Sequence, residues 1–325
     1  MSLRLAAGAV GVTALLGVGL LGVTGPLTHA VTAPGGPAAA TSVGHPCGTK
    51  GKPASYRHVI WIFMENQPYT SITGSPQASY INAVARQCGL ATNYHNITHP
   101  SLPNYIAATS GLAYPSLRNF LSDCGPAGSC VTSARSIFAQ GETWKAYDES
   151  MPSACDRSNA GNYAVRHNPA VYYTTLSGCS TSDVPYWRLA GDLAHNHLPA
   201  FSFITPNLID DMHNGTISDG STWLSRNLPA ILNSPGYRGG STVVFITWDE
   251  GEGGRYGAGE QCATSTSDPS CHVVTLVISP STRAGTRSGT LFNHYSLLGT
   301  AEQLLGLPKL GQAARYPTMT GAFNL

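Results

Sequence analysis

Ser241-Thr242-Val243-Val244-Phe245-Ile246-Thr247-Trp248, followed at once by Asp249-Glu250-Gly251-Glu252-Gly253-Gly254, decides the fold class. The first eight residues are mostly β-branched and aromatic and do not alternate with charged ones, as in a strand covered on both faces. The acids and glycines after them place a polar turn at the carboxyl end. The pattern recurs along the chain. His58-Val59-Ile60-Trp61-Ile62-Phe63-Met64 ends in Glu65-Asn66-Gln67-Pro68, and Ala200–Thr205 ends in Pro206-Asn207-Leu208-Ile209-Asp210-Asp211-Met212-His213. Val273–Ser279 is another buried run, and Leu90–Tyr94 and Thr143–Tyr147 read as shorter strands. Helical patterns lie between them: Ala78–Cys88, Trp187–His195, the amphipathic Ser221–Leu232, and a last helix opened by Asn293-His294-Tyr295-Ser296 and running to about Leu305. Strands alternating with helices predict an α/β fold with a mainly parallel sheet covered on both faces.

The chain has 325 residues, 42% of them hydrophobic, enough for one sizeable core. Net charge is +1 and charged residues are only 11%, so no basic face points to nucleic acid. Arg4 precedes an apolar run from Leu5 to about Val23, and small residues follow around Ala30 and Ala33. Residues 1–33 therefore read as a secretory signal peptide, with an uncleaved membrane anchor as the alternative. Residues 34–55 read as a flexible Pro/Gly/Ala/Ser/Thr linker and residues 56–325 as the catalytic domain; no later segment is long and apolar enough to span a membrane. All eight cysteines follow the signal, which suits disulfides in an exported chain. Cys124–Cys130, Cys155–Cys179 and Cys262–Cys271 are plausible local bridges, leaving Cys47–Cys88, though sequence does not fix the connectivity. No C-x-x-C pair suggests zinc.

The polar residues collect where strands end. In open α/β sheets ligands bind outside the carboxyl ends of the strands. Glu65-Asn66, Asp210-Asp211 with His213, and Asp249-Glu250 should therefore meet at one edge. Thr98-His99-Pro100-Ser101-Leu102-Pro103-Asn104-Tyr105 leads into the apolar run Ile106–Ser110, closed by Gly111. It reads as a helix with Ser101 at or just before its first turn, beside free N–H groups that hold an anion. Taken singly, each cluster is also an ordinary turn or helix cap. Together they suit metal-assisted phosphoryl transfer: carboxylates and an amide carbonyl are hard oxygen ligands for a divalent cation, and a cation beside a serine activates its hydroxyl. His167, in Val165-Arg166-His167-Asn168-Pro169, joins His213 and His294 as a candidate for the phosphate. His99 is near Ser101 in sequence only, and His195 and His197 read as surface residues. There is no G-x-S-x-G elbow and no Walker A loop. Asn96-Ile97-Thr98 and Asn214-Gly215-Thr216 match the glycosylation pattern but fall beside candidate site residues, so they read as chance matches.

The ordered set Glu65–Gln67, Thr98–Tyr105, Arg166–Pro169, Asp210–His213, Trp248–Gly251 and Asn293–Ser296 resembles the phosphoesterase family of bacterial acid phosphatases and phospholipases C. It is most similar to the short, secreted acid phosphatases of the mycobacterial type, over about residues 57–308. The resemblance implies an alkaline-phosphatase-like α/β/α sandwich. It implies Glu65, Asn66, Asp249 and Glu250 as ligands of a divalent metal (Ca, Mg, Mn or similar) and Ser101 as the nucleophile. His167, His213 and His294 would line the phosphate pocket, with Asp211 and Asn104 as lesser substrate-binding candidates. The phospholipases of the family are longer, which favours a phosphomonoesterase. The expected function is thus a secreted, metal-dependent acid phosphatase working through a phosphoserine, on a phosphorylated small molecule or a phosphoinositide. The alternatives are a phospholipase C-like phosphodiesterase and a non-catalytic phosphate-binding protein.

Overall fold

The computed structural model describes residues 44–252, 261–264 and 267–325. The signal-peptide reading and most of the linker reading fall outside them. The strands are β1 (His58–Met64), β2 (Gly89–His95), β3 (Trp144–Asp148), β4 (Asp183–Pro185), β5 (Phe201–Thr205), β6 (Thr242–Trp248), β7 (His272–Ile278), β8 (Arg287–Ser288) and β9 (Phe292–Asn293). The principal helices are α1 (Ser79–Gln87), α2 (Ser101–Ser110), α3 (Arg188–Ala194), α4 (Ile217–Leu232) and α5 (His294–Leu304).

The strands form one sheet in the order β4-β3-β5-β1-β6-β7-β2-β8, with β9 also paired to β2. Pairings from β4 through β6 are all parallel, whereas β7 runs antiparallel to both of its neighbours. The exception has a use. Every other long strand brings its carboxyl end to one edge of the sheet, and the reversed β7 brings its amino end there, with Ser270 and Cys271 just before it.

β1 lies between β5 and β6 and is buried on both faces, which is why its sequence is an unbroken apolar run. Period-two alternation sorts its side chains. Trp61 and Phe63 share one face with Phe201 and Phe203 of β5; Trp61 meets Phe201 edge-on at 4.8 Å and Phe63 stacks on Phe203 at 4.9 Å. Tyr105 of α2 covers this face, its ring 5.4 Å from Phe63. Ile60, Ile62 and Met64 fill the other face. Helices pair as α2 with α5 and α1 with α4, the second pair joined by Tyr80 N–H donating to Ser221 Oγ at 3.2 Å.

Helix limits follow from their caps. α4 begins four residues before the apolar period does, because Thr216 and Asp219 form a reciprocal capping box. α2 ends at Gly111, whose φ of 70° supplies the left-handed cap. The irregular 151–182 stretch contains single turns at Val165–His167, Pro169–Tyr172 and Cys179–Ser182. All four expected disulfides are present: Cys47–Cys88, Cys124–Cys130, Cys155–Cys179 and Cys262–Cys271. Cys47 and Pro46 belong to the stretch read as flexible linker, yet Cys47 is buried and Pro46 O accepts from Tyr237 Oη at 2.7 Å. Among the described residues no helix is long and apolar enough to cross a membrane.

Candidate active site

Ser101 is the first residue of α2, and the extended Pro100 precedes it as the cap position. Its hydroxyl does not cap the helix. Ser101 Oγ instead donates to Glu65 Oε2 at 3.0 Å and lies 3.5 Å from Asn66 Oδ1, both just past the end of β1. The same hydroxyl bears on the Asp249 and Glu250 carboxyls at the end of β6. The capping duty passes to Asp123, whose Oδ1 accepts Leu102 N–H at 2.9 Å. Register explains the meeting of distant segments: Met64 lies beside Trp248, so Glu65-Asn66 and Asp249-Glu250 leave the sheet side by side. Asn66 adopts φ 52°, a conformation asparagine tolerates, and its N–H reaches Asp249 Oδ1 at 3.2 Å.

Four carboxylates are buried here: Glu65, Asp211, Asp249 and Glu250. Burial pushes Glu65 well above the usual carboxylate range, with Asp249 and Asp211 adding to the rise. Burial does the same to Asp249, next to Glu250, and lifts Asp211 to about 8 against the pull of its hydrogen bond from His213 N–H. Glu250 is raised for the same first reason, and then by Asp123. So many acids crowded in a dry place are costly without a compensating cation. Asp249 Oδ2 and Asp211 Oδ2 also lack hydrogen-bond partners. The donor set therefore fits a divalent ion, which would reverse the sense of every one of these shifts. Glu65, His167 and His213 form a further group whose ligand atoms lie within 4.8 Å of one another.

The histidines divide by what holds them. His167 lies between Glu65 Oε1 and Asp211 Oδ2, 3.3 Å from each, and burial keeps its ring neutral, helped by Arg166 and His213. His213 accepts from Arg166 Nη2 at 3.0 Å on Nε2, which leaves Nδ1–H to donate to Asn214 Oδ1 at 2.8 Å. His294 is turned inward. Its Nε2–H donates to the Asp249 carbonyl at 2.7 Å, Nδ1 accepts from Tyr94 Oη at 3.0 Å, and burial lowers its pKa to about 4. It steadies the end of β6 rather than facing open space. Asn104 is likewise spent internally: Oδ1 accepts from Ile97 N–H and Thr98 N–H at 2.9 and 3.1 Å, and Nδ2 donates to the Thr98 and Pro100 carbonyls. It staples the loop before α2. His99 leaves Ser101 and pairs with Glu250 Oε2 at 2.6 Å, its other nitrogen 3.1 Å from Ser270 Oγ.

Three site residues escape the sequence reading. Arg166 stands in a quoted motif but went unassigned; it brings a cation to His213 and lies 3.8 Å from Asp123. Asp123 comes from a loop without period, and no sequence signal marks it. Tyr105 donates a short hydrogen bond to Glu65 Oε1, and its spacing of four from Ser101 was the available signal.

Residues 74–308 match the sequence profile of the Phosphoesterase family, and the chain belongs to that family. In class it is a phosphoric monoester hydrolase, as the sequence led us to expect. It is 30% identical to the phosphatidylinositol-3-phosphatase of Mycobacterium tuberculosis over 267 residues, 82% of either chain. It is 28% identical to an acid phosphatase of Aspergillus fumigatus over 79% of its own length, but spans only 57% of that protein. The fold is that of the alkaline phosphatase superfamily. A superfamily member from Vibrio parahaemolyticus superposes with TM-score 0.53 at 13% identity, covering 85% of this chain and 73% of its own. The phosphonate monoester hydrolase of Agrobacterium radiobacter gives 0.52 at 14%, covering 78% and 74%.

Proposed function

We propose that the chain is an exported, metal-dependent phosphomonoesterase that works through a phosphoserine at Ser101. The carrying observation is Ser101 Oγ donating to Glu65 Oε2 at 3.0 Å amid the buried carboxylates. Glu65, Asn66, Asp249 and Glu250 would hold the divalent ion, which when bound lowers the serine pKa and neutralises phosphate charge. Ser101 Oγ gives its proton up to solvent and attacks phosphorus. The Oγ–P bond forms as the bond to the leaving oxygen breaks, and that oxygen takes a proton from water. Water then hydrolyses the phosphoserine, giving phosphate and free Ser101. Arg166, oriented by His213, donates to phosphate oxygens at the rim. His167 sits between Glu65 and Asp211, 3.3 Å from each, with a single N–H to offer one of the two carboxylates. The four disulfides support export. The name of the mycobacterial relative makes phosphoinositides the first lipid substrates to assay.

The test is phosphate release from a chromogenic monoester, beside the matched diester, by wild type and Ser101→Ala. Ser101→Ala is expected to lose ~10³-fold or more in kcat, as other lost nucleophiles do. Chelation is expected to abolish wild-type turnover and added divalent ion to restore it. Equal activity of the two proteins would leave Ser101 a helix residue only. Turnover of the diester alone would make the enzyme a phosphodiesterase.

A further inference from the structure

We propose that Tyr105 is a positioning residue that holds Glu65 to a single presented oxygen and so sets how tightly the divalent ion is bound; this rests on the metal-dependent reading above. α2 places Ser101 and Tyr105 one turn apart on the same face. The two hydroxyls divide the Glu65 carboxylate between them. Ser101 Oγ donates to Oε2 at 3.0 Å, and Tyr105 Oη donates to Oε1. Both Glu65 and Tyr105 are inaccessible to solvent, so no water substitutes for the phenol.

Tyr105 itself has little freedom. Its ring lies nearly parallel to the His167 imidazole, centroids 5.5 Å apart and planes at 8°, and it packs against Phe63 at 5.4 Å and Phe203 at 6.0 Å. His167 Nε2 stands 3.3 Å from the same Oε1. That oxygen is thus enclosed by the phenol and the imidazole, and Oε2, on the Ser101 side, is the one left to a cation. Groups hydrogen-bonded to ligating carboxylates orient them, and their loss typically weakens metal binding. Without Oη, Oε1 loses its donor in a dry site and the carboxylate is free to turn.

The experiment uses the metal-depleted mature chain as wild type, Tyr105→Phe and Phe63→Leu, each titrated calorimetrically with Mn²⁺, Mg²⁺ and Ca²⁺ in turn. Melting temperatures are taken without metal. Tyr105→Phe keeps the ring and its stacking and removes only the hydroxyl. Phe63→Leu disturbs the same aromatic cluster without touching Glu65. The expected result is a Kd raised ~10–100-fold in Tyr105→Phe, with Phe63→Leu less stable yet binding metal as wild type does. A Tyr105→Phe Kd equal to that of wild type overturns the inference and leaves the metal reading standing. An equal loss of affinity in both variants also overturns it, since packing alone would then account for the effect. Wild type that takes up none of the three ions overturns the metal reading, and the inference with it.

Discussion

Arg166 shows how one side chain completes a site the acids leave unbalanced. Its side chain is only 19% exposed, with Nε 3.8 Å from Asp123 Oδ2 and Nη2 donating to His213 Nε2, at the rim of a carboxylate-lined centre. A charge-assisted hydrogen bond contributes roughly 1.5–3 kcal/mol, or ~10–100-fold in affinity. Arg166→Gln is therefore expected to lower kcat/KM for a phosphomonoester by ~10–100-fold and to weaken competitive inhibition by inorganic phosphate to a similar degree. An unchanged phosphate inhibition constant would remove Arg166 from the phosphate site. The sequence displayed Arg166 within a motif but gave no reason to choose it over its neighbour His167; only the meeting of the 166 turn with the 213 turn supplies the reason. His294 and Asn104 teach the converse. Both residue types suit phosphate binding, and both stand next to the centre, yet every hydrogen-bonding atom they own is engaged by the chain itself.

At the scale of elements, the edge strand β4 and its neighbour β3 carry an unusual pair behind the site. Asp148 at the end of β3 and Asp183 at the start of β4 are both buried and interact with each other. Asn168, beside His167, donates to both oxygens of Asp183 at 3.0 and 2.9 Å. Burial raises Asp183 to about 6 despite that amide, and burial together with Asp183 raises Asp148 further. The sign follows from linkage. Between the unfolded carboxylate range near 4 and about 6, this pair holds more protons in the folded chain than in the unfolded one, so its contribution to stability falls as pH rises through this window. Glu302, lifted to about 7 by burial, extends the decline in the same direction. The buried histidines act in the opposite sense, His294 and His95 being lowered to about 4, so the pair is read as a difference: between about pH 4 and about pH 7 wild type is expected to lose more melting temperature, or gain less, than Asp148→Asn, and equal slopes would show the pair to be inert. Elements such as these were legible in outline. Buried apolar runs announced the five long strands and Thr143–Tyr147, and the acids after them announced the edge where the site lies. Strand direction was not legible, because a strand buried on both faces reads alike in either sense, and so the reversal of β7 and the delivery of Ser270 to His99 appear only in three dimensions.

At the scale of the whole molecule, the sheet is held between helix pairs, and the disulfides fasten the segments that lie outside it. Cys47–Cys88 joins the stretch before β1 to the end of α1 across 41 residues. A cross-link closing a loop of that size contributes about 4 kcal/mol, chiefly by restricting the unfolded chain. Replacing both cysteines by alanine is expected to lower the free energy of unfolding by roughly that amount in a denaturant titration, and to leave kcat nearly unchanged, since neither cysteine touches the site. A loss of kcat with unchanged stability would reverse this assignment and place the bridge in the service of Glu65. The even number of cysteines foretold their pairing. That Pro46 and Cys47 belong to the folded body was hidden, because they sit in a stretch without periodicity and find Tyr237 only through the fold.

The same bridge gives the molecule a form of insurance against cutting. The strand that ends in Glu65 and Asn66 lies inside the covalent ring closed by Cys47 and Cys88. A protease that severs the backbone once anywhere between those two cysteines produces two ends but not two molecules. The nicked enzyme would travel as a single species until a reductant opens the ring, with Glu65 and Asn66 still covalently tied to the part of the chain that carries Ser101.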